Sequence, residues 1–134
     1  MATVRPNLQG FALPAFDLTD FVFSTGFAII SPQRVDDSGF LYHSLYSEVV
    51  ARQLHGLIAG SSYPAITGKD VGRLRIFLPS DPRERAKIGR VLMALSHEIN
   101  LLCKYARWLS RQKHGLMQKL LTGPIRVSTS EANS

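Results

Sequence analysis

A single cysteine, Cys103, stands in the chain, so no disulfide can form within it. Small secreted folds lean on such bridges, and without them a reducing, cytoplasmic setting is expected. Long apolar runs are missing as well: no stretch approaches the roughly 18 residues of a membrane helix. The opening MATVRPNLQG puts a proline and an asparagine where a signal peptide needs its apolar centre. Acidic residues are few. Ten Asp and Glu against sixteen Lys and Arg leave a net charge of +6. That balance favours acidic partners, nucleic acid before anionic membrane or acidic protein.

Catalytic constellations are equally scarce. His43, His55, His97 and His114 stand apart, with no pair at metal-ligand spacing. Phe23-Ser24-Thr25-Gly26 lacks the flanking glycines of a nucleophile elbow. Gly68-Lys69-Asp70 imitates the end of a phosphate loop. However, Tyr63 stands at the first glycine's place and Asp70 at the hydroxyl residue's, so a turn into a short helix is the better reading. Cys103 reads as a small residue at the edge of a helix seam. No enzyme active site, metal or cofactor is expected on this chain.

What is present reads as α/β up to residue 79, then one long helix. Met1 to Val4 suits a short strand, and Phe21 to Ile30 (FVFSTGFAII) suits a mostly buried one. Phe40 to Ile58 shifts to helical spacing, with Leu41, Leu45, Val49, Leu54, Leu57 and Ile58 on its apolar face. Gly60 to Pro64 is a polar loop, and Leu74 to Leu78 a short strand closed by Pro79. Residues 128–134 are low in complexity and read as a disordered tail. The domain reading is 1–79 globular, 80–123 helical and 124–134 flexible.

The helix has clear ends. Asp81 suits the N-cap, Pro82 the first helical position and Glu84 an acidic capping box, while Gly123-Pro124 stops it. About 40 residues at 1.5 Å each make ~60 Å, too long for an ordinary element of so small a domain. Ile88, Leu92, Leu95, Ile99, Leu102, Ala106, Leu109, Lys113, Leu116 and Leu120 repeat at steps of 4 and 3. This is a heptad seam, with Leu92, Ile99, Ala106, Lys113 and Leu120 at position a and the others at d. A strict seven-residue period predicts a left-handed supercoil with a partner helix. Val91, Leu101, Tyr105 and Trp108 widen the stripe. A helix lying only on its own domain would leave Leu109, Leu116 and Leu120 uncovered, forgoing roughly 1.5–3 kcal/mol each.

Two basic sets remain. Arg83, Arg85, Lys87, Arg90, Lys104, Arg107, Arg111 and Lys119 lie on the helix, where charge runs are usually a solvated face. Arg5, Arg52, Lys69, Arg73 and Arg75 lie on the globular part. Lys69 follows the Ser61-Ser62-Tyr63 loop closely, so the loop can reach base edges while a cation neutralises phosphate.

The segment GSSYPAITGKDVGRLRIFLP (Gly60 to Pro79), followed by the long helix closing on LSRQKHGLMQKLLTGPIRV, resembles the end of a type I restriction–modification specificity subunit. The signature residues are Gln112, Lys113, Leu116, Met117, Leu120, Leu121, Thr122 and Gly123. ATVRPN (Ala2 to Asn7) and VFSTGFAII (Val22 to Ile30) resemble the middle of such a recognition domain. The resemblance implies a non-catalytic subunit whose target-recognition domains each read half of a split site in double-stranded DNA. Its paired antiparallel helices act as a ruler and dock the methyltransferase subunits, and through them the restriction subunit. Candidate DNA contacts are Arg5, Asn7, Ser61, Ser62, Tyr63, Lys69 and Arg73. A full subunit carries two domains and two helices, so this chain reads as a fragment, a split-gene product or a half-subunit. One helix per chain can restore the symmetry by pairing with itself, giving a homodimer. The alternative is a coiled-coil interaction module of such a complex that reads no DNA.

Overall fold

The computed structural model describes residues 1–14, 20–58 and 63–128. Among the described residues four helices form: α1 (Ser38–Ser44), α2 (Glu48–Ile58), α3 (Gly68–Val71) and α4 (Pro82–Leu121). Single 3-10 turns at Pro6–Leu8 and Val35–Asp37 precede them. The described chain is mostly helical, and contacts divide it into Met1–Ala94 and Leu95–Ser134.

The core of the first unit is built on α2. Val50 and Leu54 lie one turn apart and are wholly buried; Phe11, Leu45, Ile66 and Val71 close around them. Each such side chain removed from water contributes roughly 1.5–3 kcal/mol. The expected single helix from Phe40 to Ile58 is broken at Leu45–Ser47. There the Ser47 hydroxyl accepts from the Val50 N–H at 3.4 Å, capping a new start. The break resets the helical phase. Val50 therefore turns inward, while Val49 and Leu57, expected on the apolar face, are exposed.

No strand forms among the described residues, so they do not show the α/β character expected of residues 1–79. Met1 to Val4 makes only isolated antiparallel bridges, Ala2 with Phe27 and Val4 with Ala65. Phe21 to Ile30 is extended but interrupted by a turn in which the Phe27 N–H reaches the Ser24 carbonyl at 3.2 Å. Only one side of it meets the core, through Ala28 and Ile30, whereas Val22, Phe27 and Ile29 are exposed. β-propensity describes a surface that fits a pleated, half-buried sheet, and here no neighbouring strand supplies that sheet. Leu74 to Leu78 follows suit: Leu74 and Ile76 pack on the core, and no ladder forms. Phe21, Phe23, Phe27, Leu41 and Tyr42 line an apolar cavity of about 540 Å³.

Beside it, the Tyr46 ring stands edge-on to Phe11 at 4.9 Å, and its hydroxyl lies 3.2 Å from that of Tyr42. Burial, then the bond to Tyr42, push the Tyr46 phenol up to about 12.

Helix α4 keeps its expected limits. The Asp81 carboxylate accepts from the Arg83 N–H at 2.8 Å, while Glu84 makes no return bond among the described residues. At the far end Gly123 takes a positive φ of 89°, and the Ile125 N–H reaches back to the Lys119 carbonyl at 3.1 Å. Arg85 fixes the first turn, its Nε 3.3 Å from Asp37 Oδ2 and its Nη1 2.7 Å from the Pro79 carbonyl oxygen. One turn on, Gly89 lets α4 touch the backbone of α1: a Cβ there would lie 2.6 Å from the Phe40 nitrogen. No described helix is long and apolar enough to cross a membrane.

Candidate nucleic-acid and pairing surfaces

The candidate DNA contacts fall into two groups. Arg5 and Tyr63 are joined through the backbone: the Arg5 N–H donates to the Pro64 carbonyl at 2.7 Å, and Val4 bridges Ala65. Arg5 has a φ of 51° and Gln9 a φ of 52°, so non-glycine residues in the left-handed region flank the turn carrying exposed Asn7. Such conformations cost on the order of 1–3 kcal/mol and persist only where their surroundings enforce them. Here two backbone bonds do so, Arg5 N–H to Pro64 and Ile66 N–H to the Thr3 carbonyl at 3.0 Å. Tyr63 is exposed. Ser61 and Ser62 lie outside the described residues.

The second group is Lys69 and Arg73, on α3 and just after it. Gly68-Lys69-Asp70 is the opening of α3, as its sequence suggests. Thr67 and Asp70 form a reciprocal capping box, the Thr67 N–H donating to the Asp70 carboxylate at 2.9 Å and the Thr67 hydroxyl at 2.7 Å. The Thr67 hydroxyl first, and its backbone N–H second, hold the Asp70 carboxyl below the ordinary carboxylate range. Asp70 thus stays an anion 4.0 Å from Arg73 Nη1 and dilutes the positive charge beside Lys69. Both partners face solvent, so the pair itself adds little stability.

The pairing candidates divide along α4. Ile88 and Leu92 are half-buried within the first unit. Leu95, Ile99, Leu102, Ala106, Leu109, Lys113, Leu116 and Leu120 are exposed, Leu102 at 60% and Leu120 at 40%. Leu101, Tyr105 and Trp108 form a second exposed stripe, with the two rings stacked at 6.0 Å. Cys103 is exposed.

One residue escapes the sequence reading altogether. Gln53 on α2 donates from Nε2 to the Arg75 carbonyl at 2.8 Å and accepts the Arg75 N–H on Oε1 at 2.9 Å. A contact across 22 positions leaves no local trace.

Comparison with known proteins adds the family context. The chain is 32% identical over 97 residues to a protein of Methanocaldococcus jannaschii assigned as the type I restriction enzyme MjaX specificity subunit. It is 29% identical over 99 residues to the type I restriction enzyme MjaVIII specificity subunit of the same organism. Both relatives are specificity subunits. The resemblance read from the sequence therefore stands: this chain is similar to type I restriction specificity subunits over 72% and 74% of its length. It spans about a fifth of each of those specificity subunits, 22% and 23%. No family model matches the chain, and no solved structure matches it significantly.

Proposed function

We propose that this chain is a non-catalytic part of a type I restriction–modification specificity subunit, acting in the cytoplasm. In this reading residues 1–79 form a partial α/β recognition domain contacting a half-site in double-stranded DNA. The extended segments at 21–30 and 74–78 keep open edges for further strands. Arg5, Asn7, Ser61, Ser62, Tyr63, Lys69 and Arg73 face the DNA. Residues 80–123 serve as the spacer helix, residues 124–134 as its tail, and the methyltransferase subunit docks on this helix. The observation that carries the proposal is the uncovered heptad seam from Leu95 to Leu120, in a basic chain similar to specificity subunits. Apolar side chains at that period have a purpose only against another helix.

The seam suits a second copy of itself, antiparallel. With the two-fold axis between Arg107 and Trp108, Leu95 layers on the partner's Leu120, Ile99 on Leu116, Leu102 on Lys113 and Ala106 on Leu109. Charge supports this register, because Glu98 then faces the partner's Lys119 twice over. A parallel pair would set Glu98 against Cys103 instead. The register also places Cys103 opposite the partner's Ser110, so Ser110→Cys should give a covalent dimer with a short bis-maleimide. A monomer in sedimentation at tens of micromolar sinks the self-pairing. Mobility shifts across a salt series, with and without the methyltransferase subunit, test the DNA role. No shift at low salt in either case leaves only the interaction-module alternative.

A further inference from the structure

We propose that Arg52 and Arg75, which the candidate contacts above omit, together grip a phosphate of the DNA backbone; this rests on the DNA-binding reading. The site starts with the alternation Arg73-Leu74-Arg75-Ile76. Leu74 and Ile76 pack on the core, which leaves Arg73 and Arg75 exposed. Gln53 then holds the Arg75 backbone against α2 through its two amide bonds of 2.8 and 2.9 Å. Arg52, the residue before Gln53, is exposed on α2.

The result is a shallow hollow of about 460 Å³ lined by Val49, Arg52, Gln53 and Arg75. Its lining includes two arginines and no acidic residue. Neither arginine has an ion-pair partner among the described residues. Arg52 spends its Nε on the Glu48 carbonyl at 3.4 Å, leaving its terminal nitrogens available. The neighbouring hollow differs. Lined by Gln53, Gly56, Leu57, Asp70, Arg73 and Leu74, it already holds its own anion, since Asp70 sits beside Arg73. Two cations sharing a concave, uncompensated surface repel each other, and a bound anion relieves that repulsion. Planar guanidinium forks match phosphate oxygens two at a time. The hollow has no aromatic anchor of the kind a protein partner would need. A phosphodiester backbone is therefore the fitting ligand.

The test is fluorescence anisotropy of the full chain with duplex DNA of random sequence, across a salt series. Each neutralised phosphate contributes close to one unit to the slope of log affinity against log salt. The double variant R52A/R75A, which loses the shared phosphate, should lower the slope by about one on any sequence, and R52A or R75A alone by part of that. R52K/R75K should restore most of the slope, and R34A should leave it unchanged. A double variant with the wild-type slope overturns this site while the DNA reading stands. Absence of wild-type binding at every salt concentration overturns both. Displacement by polyglutamate as readily as by unlabelled DNA also overturns the site, by making it a surface for acidic protein.

Discussion

The first turns of α4 and the turns beyond Leu95 obey one heptad rule and meet different surroundings. Ile88 and Leu92 lie half-buried beside a glycine that touches the α1 backbone. From His97 to Leu121 every residue is exposed. A periodic apolar pattern therefore tells where cover is required, and it does not tell whether the cover belongs to the same chain. In the first stretch the first unit supplies part of it. In the second it must come from elsewhere, which is why pairing is the natural proposal there.

Leu109→Asp breaks the contrast most strongly. Placed at the centre of the seam, an unpaired charge should remove about 3–5 kcal/mol of pairing free energy. Sedimentation should then show a monomer, with the thermal transition of the first unit unmoved. A variant that still associates as before would show that the seam does not pair here.

Gly89→Ala comes next. Its Cβ would meet backbone atoms at 2.6 and 3.2 Å, and backbone cannot swing aside as a side chain can. A loss of about 1–3 kcal/mol in denaturant unfolding is expected, despite the better helix propensity of alanine. An unchanged midpoint would mean that the α1 contact is dispensable.

Acidity offers a third lever, on the first unit alone. Burial lowers the His43 imidazole below its ordinary 6.5, and its Nε2 is buried with no hydrogen-bond partner among the described residues. The folded state thus takes up its proton at lower pH than the unfolded chain does. Stability from this group is complete above the ordinary value and declines as pH falls through it toward the lowered one. Melting temperature measured between pH 7.5 and 5.5 should drop, and His43→Gln should flatten that drop. An equal slope in the variant would clear His43 of the effect.

The smallest expected change has the opposite sign. Gly115 has nothing within 4 Å of its would-be Cβ. Gly115→Ala should stabilise the helix by about 0.5–1 kcal/mol, visible as a gain in helical circular dichroism on heating. The same substitution at Gly89 and Gly115 thus moves stability in contrary directions, and equal outcomes would erase the distinction between the two stretches.

How far the sequence foretells all this depends on the range of the contact. Asp81-Pro82 and Gly123 act within a turn, and they set the helix limits within a residue or two. Gly68-Lys69-Asp70 likewise announces the turn into α3. The phase reset at Leu45–Ser47 hides inside an apolar periodicity that continues on both sides. The strands expected from FVFSTGFAII and LRIFL need neighbours, and propensity carries no information about neighbours. Among the site candidates, the backbone union of Arg5 with the Tyr63 loop spans too many residues to be read locally, whereas Asp70 tempers Arg73 from only three positions away. The Gln53 bond to Arg75 leaves no pattern at all.

That bond has a consequence for alignment. An antiparallel neighbour exchanges both an N–H and a C=O bond with one residue opposite it. The Gln53 amide does the same for Arg75, so a side chain takes the place of a missing strand. Because it matches one residue and no other, it also fixes the frame of the extended segment. A slip by a single position would turn both arginines toward the core and bring Leu74 and Ile76 to the surface. Shortening the side chain by one methylene, as in Gln53→Asn, would therefore put at risk which alternate residues of Arg73 to Ile76 face outward, before any of them is itself changed.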